Sequence, residues 1–308
     1  ISSNRAIDFP LRRSCHSWGR VRGKITLIKN GKTQANFERT LANLLRARFP
    51  YLYVATWEEA RALQLVTAAA KNIDLIRTKR RVLDWSLTKG FTENGAVVEG
   101  DTRQPLKALD FVEQLEDPAV FVLKDFHVFL GGGGRTADPQ VVRRLRDLLP
   151  TIKHSQRPKN VVFIAPQLTL PIELEKDVTV LEFELPSFEE IRGILTQMIE
   201  TNRATGRVVI DVTEEGEERL AKAAMGLTLH QAENAYALAM VEDGKLDISD
   251  VEVVLEEKRQ TIRKSGILEY INPDLNIADV GGLQNLKRWL VKRNKSWLDS
   301  AARYNLPA

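Results

Sequence analysis

Tyr51-Leu-Tyr-Val-Ala55 runs straight into Thr56-Trp57-Glu58-Glu59, so that an apolar strand hands over to a helix across one short turn. The first five residues are aromatic, β-branched or small, the composition of a strand buried on both faces. The helix that follows is predicted to present Ala60, Leu63, Leu65, Val66 and Ala69 on its apolar side. A phosphate-binding turn at such a junction reads G-x-x-x-x-G-K-[ST]. Its glycines admit the backbone amides to the phosphates, its lysine neutralises them and its hydroxyl holds the magnesium. The turn here has neither glycine nor lysine. Thr56 and Glu59 have the spacing of a capping box, which would occupy the amides a phosphate needs. Two carboxylates in the first helical turn, Glu58 and Glu59, would also face the polyphosphate, beside the Trp57 indole. At an effective dielectric of ~20, one like-charge pair ~4 Å apart costs on the order of 4 kcal/mol. The turn is therefore expected to leave no room for a triphosphate.

Outward from this junction, short apolar runs alternate with helical patterns, the signature of a parallel α/β sheet. Further strands are predicted at Val82–Ser86, Ala119–Leu123, Val161–Ala165 and Val178–Phe183. Residues 91–105 read as a polar loop, and Leu106–Leu115 as a helix. Asp138-Pro139 is a strong helix start, with Val142, Leu145, Leu148 and Leu149 at helical spacing behind it. After Pro186 only helical patterns remain. Ser187 with Glu190, Thr228 with Gln231 and Ser249 with Glu252 predict capped helix starts, and Thr213–Ala224 is a helix between them. Ile191, Ile194, Leu195, Met198 and Ile199 recur on one side of the first of these helices.

Composition narrows the function classes. The chain has 308 residues, 43% hydrophobic and 28% charged, as soluble globular proteins do. No apolar run reaches the roughly 18 residues of a membrane span, so no membrane role is expected. One cysteine, Cys15, excludes an intramolecular disulfide framework and fits a reducing compartment. The four histidines show no metal-ligand spacing. Residues 1–48 hold 11 Lys/Arg against Asp8 and Glu38, a net of +9, which leaves −5 for the rest of a chain whose total is +4. Such an opening segment reads as a transit peptide, a disordered basic arm or a non-native extension.

Three other places invite a chemical reading. Gly31-Lys32-Thr33 follows an apolar run, but the glycine the motif requires at position 26 is Thr26, and Asn30-Gly31 reads as a turn. Val120-Phe-Val-Leu-Lys124-Asp125 looks like a Walker-B strand, four apolar residues ending in an acid. Without a gap, Lys124 takes the magnesium-ligand position, where its charge repels the ion, and Asp125 is the degenerate candidate for the second acid. Asp125 and His127 could serve an independent chemistry at a strand C-terminus, although an acid that pairs locally is the simpler role. Arg143, Arg144, Arg146, Lys153, His154, Arg157 and Lys159 cluster around one helix. With no aromatic residues near them for base stacking, they read as a solvated face.

Together these features resemble the AAA ATPase fold across residues 49–264. The resemblance rests on the Asp125 strand, the strand ending Ala165-Pro166, Pro171-Ile-Glu-Leu-Glu-Lys-Asp177 and Leu185-Pro186. Where the family carries arginines that reach a neighbour's ATP, this chain has Glu173, Glu175, Lys176 and Asp177, so the resemblance supplies no arginine finger. Asp279-Val280-Gly281-Gly282 looks like the opening segment of a second AAA module, in which Asp279, Val280 and Gly281 would line the adenine pocket. Tyr53–Glu59, Phe121–Phe126, Gly226–Leu229 with Ala232–Asn234, and Glu256–Gln260 with Arg263–Gly266 resemble the AAA ATPase family of cyanobacteria and algal plastids, the conserved plastid reading-frame type. That similarity runs over about residues 40–308 and leaves out the basic start.

The expected organisation is a basic lead segment (1–48), a degenerate AAA-like α/β domain with a degenerate P-loop (49–186), a helical lid (187–264), and a linker with the start of a second module (265–308). The resemblance implies the front half of an ATP-using, ring-forming homo-oligomer in the cyanobacterial cytoplasm or plastid stroma. This half would assemble or bind an unknown protein client without hydrolysing. ATP and magnesium are expected in the intact protein, at a P-loop beyond Ala308, and no tightly bound cofactor or metal in this part. The competing reading is a nucleic-acid-binding protein that uses the basic N-terminal segment, with binding that weakens steeply in salt and is lost without residues 1–48.

Overall fold

The computed structural model describes residues 27–28, 34–98, 100–264 and 281–293. Two compact units divide the chain: one comprises the residues up to Ile191 together with Met225–Gln231, the other Arg192–Ala224 and the residues from Ala232 onward.

The first unit is built on an eight-stranded sheet. Its strands are β1 (Leu27–Ile28), β2 (Tyr51–Ala55), β3 (Arg81–Ser86), β4 (Gly90–Glu93), β5 (Ala96–Val97), β6 (Ala119–Lys124), β7 (Lys159–Ala165) and β8 (Val178–Leu181). They lie in the order β1-β8-β2-β7-β6-β3-β4-β5. All neighbours are parallel except the β3-β4 and β4-β5 pairs at one edge. The fold is α/β with a mostly parallel sheet, as its alternating pattern predicts.

Side chains alternate across the sheet with the period of a strand. Tyr51, Tyr53, Leu83, Trp85, Phe121, Leu123 and Phe163 form one buried layer. Helices α3 (Pro105–Gln114) and α4 (Pro139–His154) cover it with Ala108, Leu109, Val112, Val141, Leu145 and Leu148. Leu52, Val54, Val82, Val120, Val122, Val162 and Ile164 form the opposite layer, covered by α1 (Gln34–Arg46) and α2 (Glu59–Lys71). Leu41, Ala42, Leu44 and Leu45 of α1 are buried there, so the later part of the basic lead segment is folded. Tyrosines enter the core because their hydroxyls find acceptors: Tyr51 donates to the Leu145 carbonyl at 2.6 Å and Tyr53 to that of Gln167 at 2.5 Å.

Several local expectations need correction. Residues 91–105 do not form one loop, because β4 and β5 make an antiparallel hairpin whose turn, Asn94-Gly95, has φ of 51° and 84°. Positive φ at both turn residues matches the right-handed twist of the strands, and Asn-Gly was the signal in the sequence. The buried side of α2 is Arg61, Ala62, Leu65, Val66, Ala69 and Ala70, while Ala60 is exposed. An arginine can sit there because three oxygen-bearing groups receive it, as shown below. Asp138 caps α4 as predicted, accepting from the amides of Gln140 and Val141.

In the second unit, β9 (Val209–Ile210) pairs in parallel with β10 (Lys245–Leu246), beside α6 (Glu214–Ala224) and α8 (Val251–Lys264). Helices α5 (Phe188–Thr205) and α7 (Leu229–Glu242) begin in the first unit and continue into the second. Ser187 and Glu190 exchange their bonds at the start of α5, and Thr228 and Gln231 do so at α7, as the spacing predicts. Ser249 does not cap α8. A short 3-10 turn, Ile248–Asp250, precedes that helix, and Asp247 with Asp250 forms the reciprocal cap. The Ser249 amide and hydroxyl both donate to Asp247, two residues upstream, so the hydroxyl is used as a donor there. Helix α9 (Gln284–Arg293) lies in the residues past Gly281.

Candidate functional site

In an open parallel sheet the loops at the C-terminal ends of the strands are where ligands bind. At that end of β2, the Thr56 amide donates to the Ala165 carbonyl at 2.8 Å, and the Thr56 hydroxyl accepts from the Glu58 amide at 3.0 Å. The predicted Thr56–Glu59 capping box does not form. Helix α2 begins at Glu59 with no side-chain cap, because the Glu59 carboxylate turns to Lys124, whose Nζ is 3.4 Å away. Trp57 does not fill the turn either: its side chain is 80% exposed.

Lys124 ends β6 on the same sheet face as Val120 and Val122, which aims it toward α2. Its Nζ lies 2.8 Å from Asp84 Oδ2, and Asp84 also accepts from Thr92 Oγ1 at 2.9 Å. Burial alone would lower the Lys124 pKa, but the hydrogen bond and charge of Asp84 and the charge of Glu59 outweigh it and hold it above the usual lysine range. Asp84 escaped the sequence reading. Its only signal was an acid in the middle of an apolar strand.

A second charged knot lies at the start of α2. Arg61, 9% exposed, donates to Glu58 at 2.7 Å, to Glu190 at 2.9 Å and to the Glu184 carbonyl at 2.8 Å. Its guanidinium carbon sits 4.7 Å from the centre of the Phe183 ring. The other Glu58 oxygen accepts from the Leu229 amide at 2.8 Å. That amide opens α7, so a carboxylate meets the positive end of a helix, which favours the charge. The same knot walls a cavity of about 340 Å³ that Phe37, Phe183, Met225 and Gly226 also line.

Asp125 follows Lys124 in the left-handed conformation, with φ of 53°. Its side chain is mostly exposed, and its carboxylate is 3.9 Å from His127 Nδ1, beyond hydrogen-bond range. The two residues are adjacent but are not assembled as an acid–base pair. Among the described residues, no group of three or more His, Cys, Asp or Glu could hold a metal ion. Of the predicted adenine-pocket residues, Gly281 is exposed with open space around it, while Asp279 and Val280 lie outside the described residues. The Gly31-Lys32-Thr33 stretch and the basic start up to residue 26 also lie outside them. Two members of the basic cluster on α4 are ion-paired: Arg143 with Asp147, and Arg144 with Asp110 and Glu113. Lys159 is buried, donating to the Val112 and Glu113 carbonyls.

Two family domains match the chain in succession. The domain described as "SpoVK-like AAA ATPase, N-terminal domain" matches residues 37–183. The "SpoVK-like AAA ATPase, second domain" matches residues 189–265. An "Uncharacterized AAA domain-containing protein ycf46" from Guillardia theta is 33% identical over 285 residues, covering 92% of this chain and 53% of that protein. Its namesake from Trieres chinensis is 32% identical over 273 residues, covering 88% of this chain and 51% of its own length. This chain thus spans about half the length of the curated relatives it matches. Among solved structures, the FIGL-1 AAA domain aligns with 85% of this chain and 87% of its own, at 14% identity and a TM-score of 0.49. With its two family domains in order and about a third of the aligned residues identical to these proteins, the chain belongs to the AAA ATPases, of the plastid ycf46 type.

Proposed function

We propose that this chain is a non-hydrolysing AAA module, which supplies assembly or partner-binding surface to a longer ATP-using protein. On this reading residues 49–186 are a degenerate AAA-like α/β domain and residues 187–264 its helical lid. Residues 265–308 are a linker and the start of a second module, in which Asp279, Val280 and Gly281 line the adenine pocket. The observation that carries the proposal is the pairing of Lys124 with Asp84 and Glu59. A magnesium–triphosphate at the end of β2 and β6 needs a lysine free to meet phosphate and an acid free to meet the metal. The lysine present is bound by the protein's own carboxylates. Glu58, next to it, is committed to Arg61 and Leu229. The residues at this end do not fit magnesium and a triphosphate.

ATP hydrolysis and ring assembly are then properties of the intact protein, with an unidentified protein as client. A cyanobacterial cytoplasm or a plastid stroma suits relatives of this kind. Among the described residues no helix is long and apolar enough to cross a membrane.

The test is magnesium-dependent ATP turnover by the purified 308-residue chain, with Trp57 emission, taken as the difference between wild type and Trp57→Phe because the chain has five tryptophans, as a local reporter at the turn. We expect turnover at the level of buffer and no change in Trp57 emission on adding ATP with magnesium. Turnover that Lys124→Met abolishes, or a saturable Trp57 response, would overturn the proposal.

A further inference from the structure

A cleft of about 580 Å³ opens at the opposite end of the strands, beside the N-terminal ends of β2, β3 and β7. Its wall comes from the last turn of α1 and the segment after it, the loop before β3 and Pro158. Arg46, Arg48, Arg77 and Arg80 all line it, and none of its described lining residues is acidic. Elsewhere in the same unit, Arg61, Arg81 and Arg144 each meet two carboxylates. Two of the cleft arginines, Arg48 and Arg80, are instead held by neutral oxygens. Arg80, 5% exposed, donates Nη2 to the Leu45 carbonyl at 2.7 Å and Nη1 to the Asn160 side chain. Arg48 donates to the Ser155 carbonyl at 2.9 Å. The Arg80 Nε–H is buried without a partner. Burial and the nearby Arg48 together push the Arg80 pKa down to about 10.

A protein that gathers like charges around a cavity and leaves a buried donor unmet has a local cost that an anion removes. Guanidinium groups present paired donors that match phosphate oxygens two at a time. The volume falls within the ~300–1,000 Å³ of small-molecule sites. No aromatic side chain lines the cleft, so it lacks the stacking platform of a single-stranded nucleic acid site. We infer that this cleft binds a compact di- or triphosphate group. That group is supplied either by an inorganic polyphosphate or by the tail of a small phosphorylated molecule. The site is separate from the strand ends where Lys124 and Asp84 meet, and the inference stands whether or not that end is inert.

The experiment is calorimetric titration of the 308-residue chain with inorganic tripolyphosphate, with ATP without magnesium as a second arm. The proteins compared are wild type, Arg46→Glu/Arg77→Glu and Arg77→Lys. Both substituted side chains are exposed, and far-UV circular dichroism with the melting temperature checks that the variants fold. We expect saturable one-site binding, weakened at least tenfold by the double charge reversal and measurably by Arg77→Lys. Equal affinity for the two probes assigns an inorganic source, and tighter ATP binding assigns a phosphorylated small molecule. Binding unchanged in the double variant would place the anions on the basic start of the chain and overturn the inference. A single-stranded RNA that binds tenfold tighter than tripolyphosphate through these arginines would overturn it in favour of a nucleic-acid surface.

Discussion

Lys124 Nζ lies 2.8 Å from Asp84 Oδ2, a bond between neighbouring parallel strands in which both side chains are less than one-fifth exposed. Removing the lysine leaves a nearly buried carboxylate without its cation, whereas removing both partners leaves no orphan. Lys124→Met is expected to lower unfolding stability by about 2 kcal/mol, and Asp84→Leu in the same chain to restore most of it. Glu59 is half-exposed and adds little. Urea denaturation of the four proteins of the cycle measures the coupling.

The same pair gives a pH dependence with a definite sign. The folded state holds the Lys124 pKa above the usual 10.5, so it binds this proton more tightly than the unfolded chain does. Its stabilisation is present in full below the unfolded value and is lost as pH rises through the folded value. The stability gap between wild type and Lys124→Met should therefore be constant near pH ~8 and narrow by pH ~11.5. Denaturant midpoints across that range check it.

Arg61 is the most connected charge at the start of α2. Arg61→Ala strands Glu58 and Glu190, which are 6% and 18% exposed. Stability should fall by about 3 kcal/mol or more. Arg61→Lys should recover less than half of the loss, since an ammonium cannot reach both glutamates and the Glu184 carbonyl as a planar fork does. Thermal melts of both variants decide between lost charge and lost geometry.

Gly90 opens β4 with φ of 73°, and a Cβ there would stand 2.6 Å from Thr102 Oγ1. That hydroxyl accepts from the Phe91 amide at 2.9 Å. Gly90→Ala should cost about 1–2 kcal/mol from the left-handed backbone alone. Amide exchange at Phe91 should accelerate with it.

At the start of α4 the cap can be tested without touching the core. Asp138→Ala removes the acceptor for two amides and should cost about 1 kcal/mol. Asp138→Asn should cost less than half of that, measured by the same melts.

How far the sequence discloses this molecule depends on the range of the interaction involved. Val161–Ala165 announces a buried strand because apolar composition and short length are local properties. Asp138-Pro139 and Ser187 with Glu190 announce helix starts for the same reason. The Thr56–Glu59 cap failed because the Glu59 carboxylate had a better partner, Lys124, 65 positions away in the chain and one layer away in space. Ser249 gives no cap because its hydroxyl donates to Asp247, a neighbour in plain view. At the candidate site, Lys124 was readable as a misfit for magnesium, yet what holds it, Asp84, needs the β3-β6 register to be seen. Arg61 breaks the apolar side of α2, and only the fold shows that Glu58, Glu184 and Glu190 converge on it.

Glu58 binds the first amide of α7 from 171 positions away. A carboxylate that belongs to the polypeptide has no off-rate and no concentration. The segment Met225–Gln231 is thus moored to the sheet by a permanent covalent resident of the protein, and no exchange of a diffusible anion is needed to keep it there.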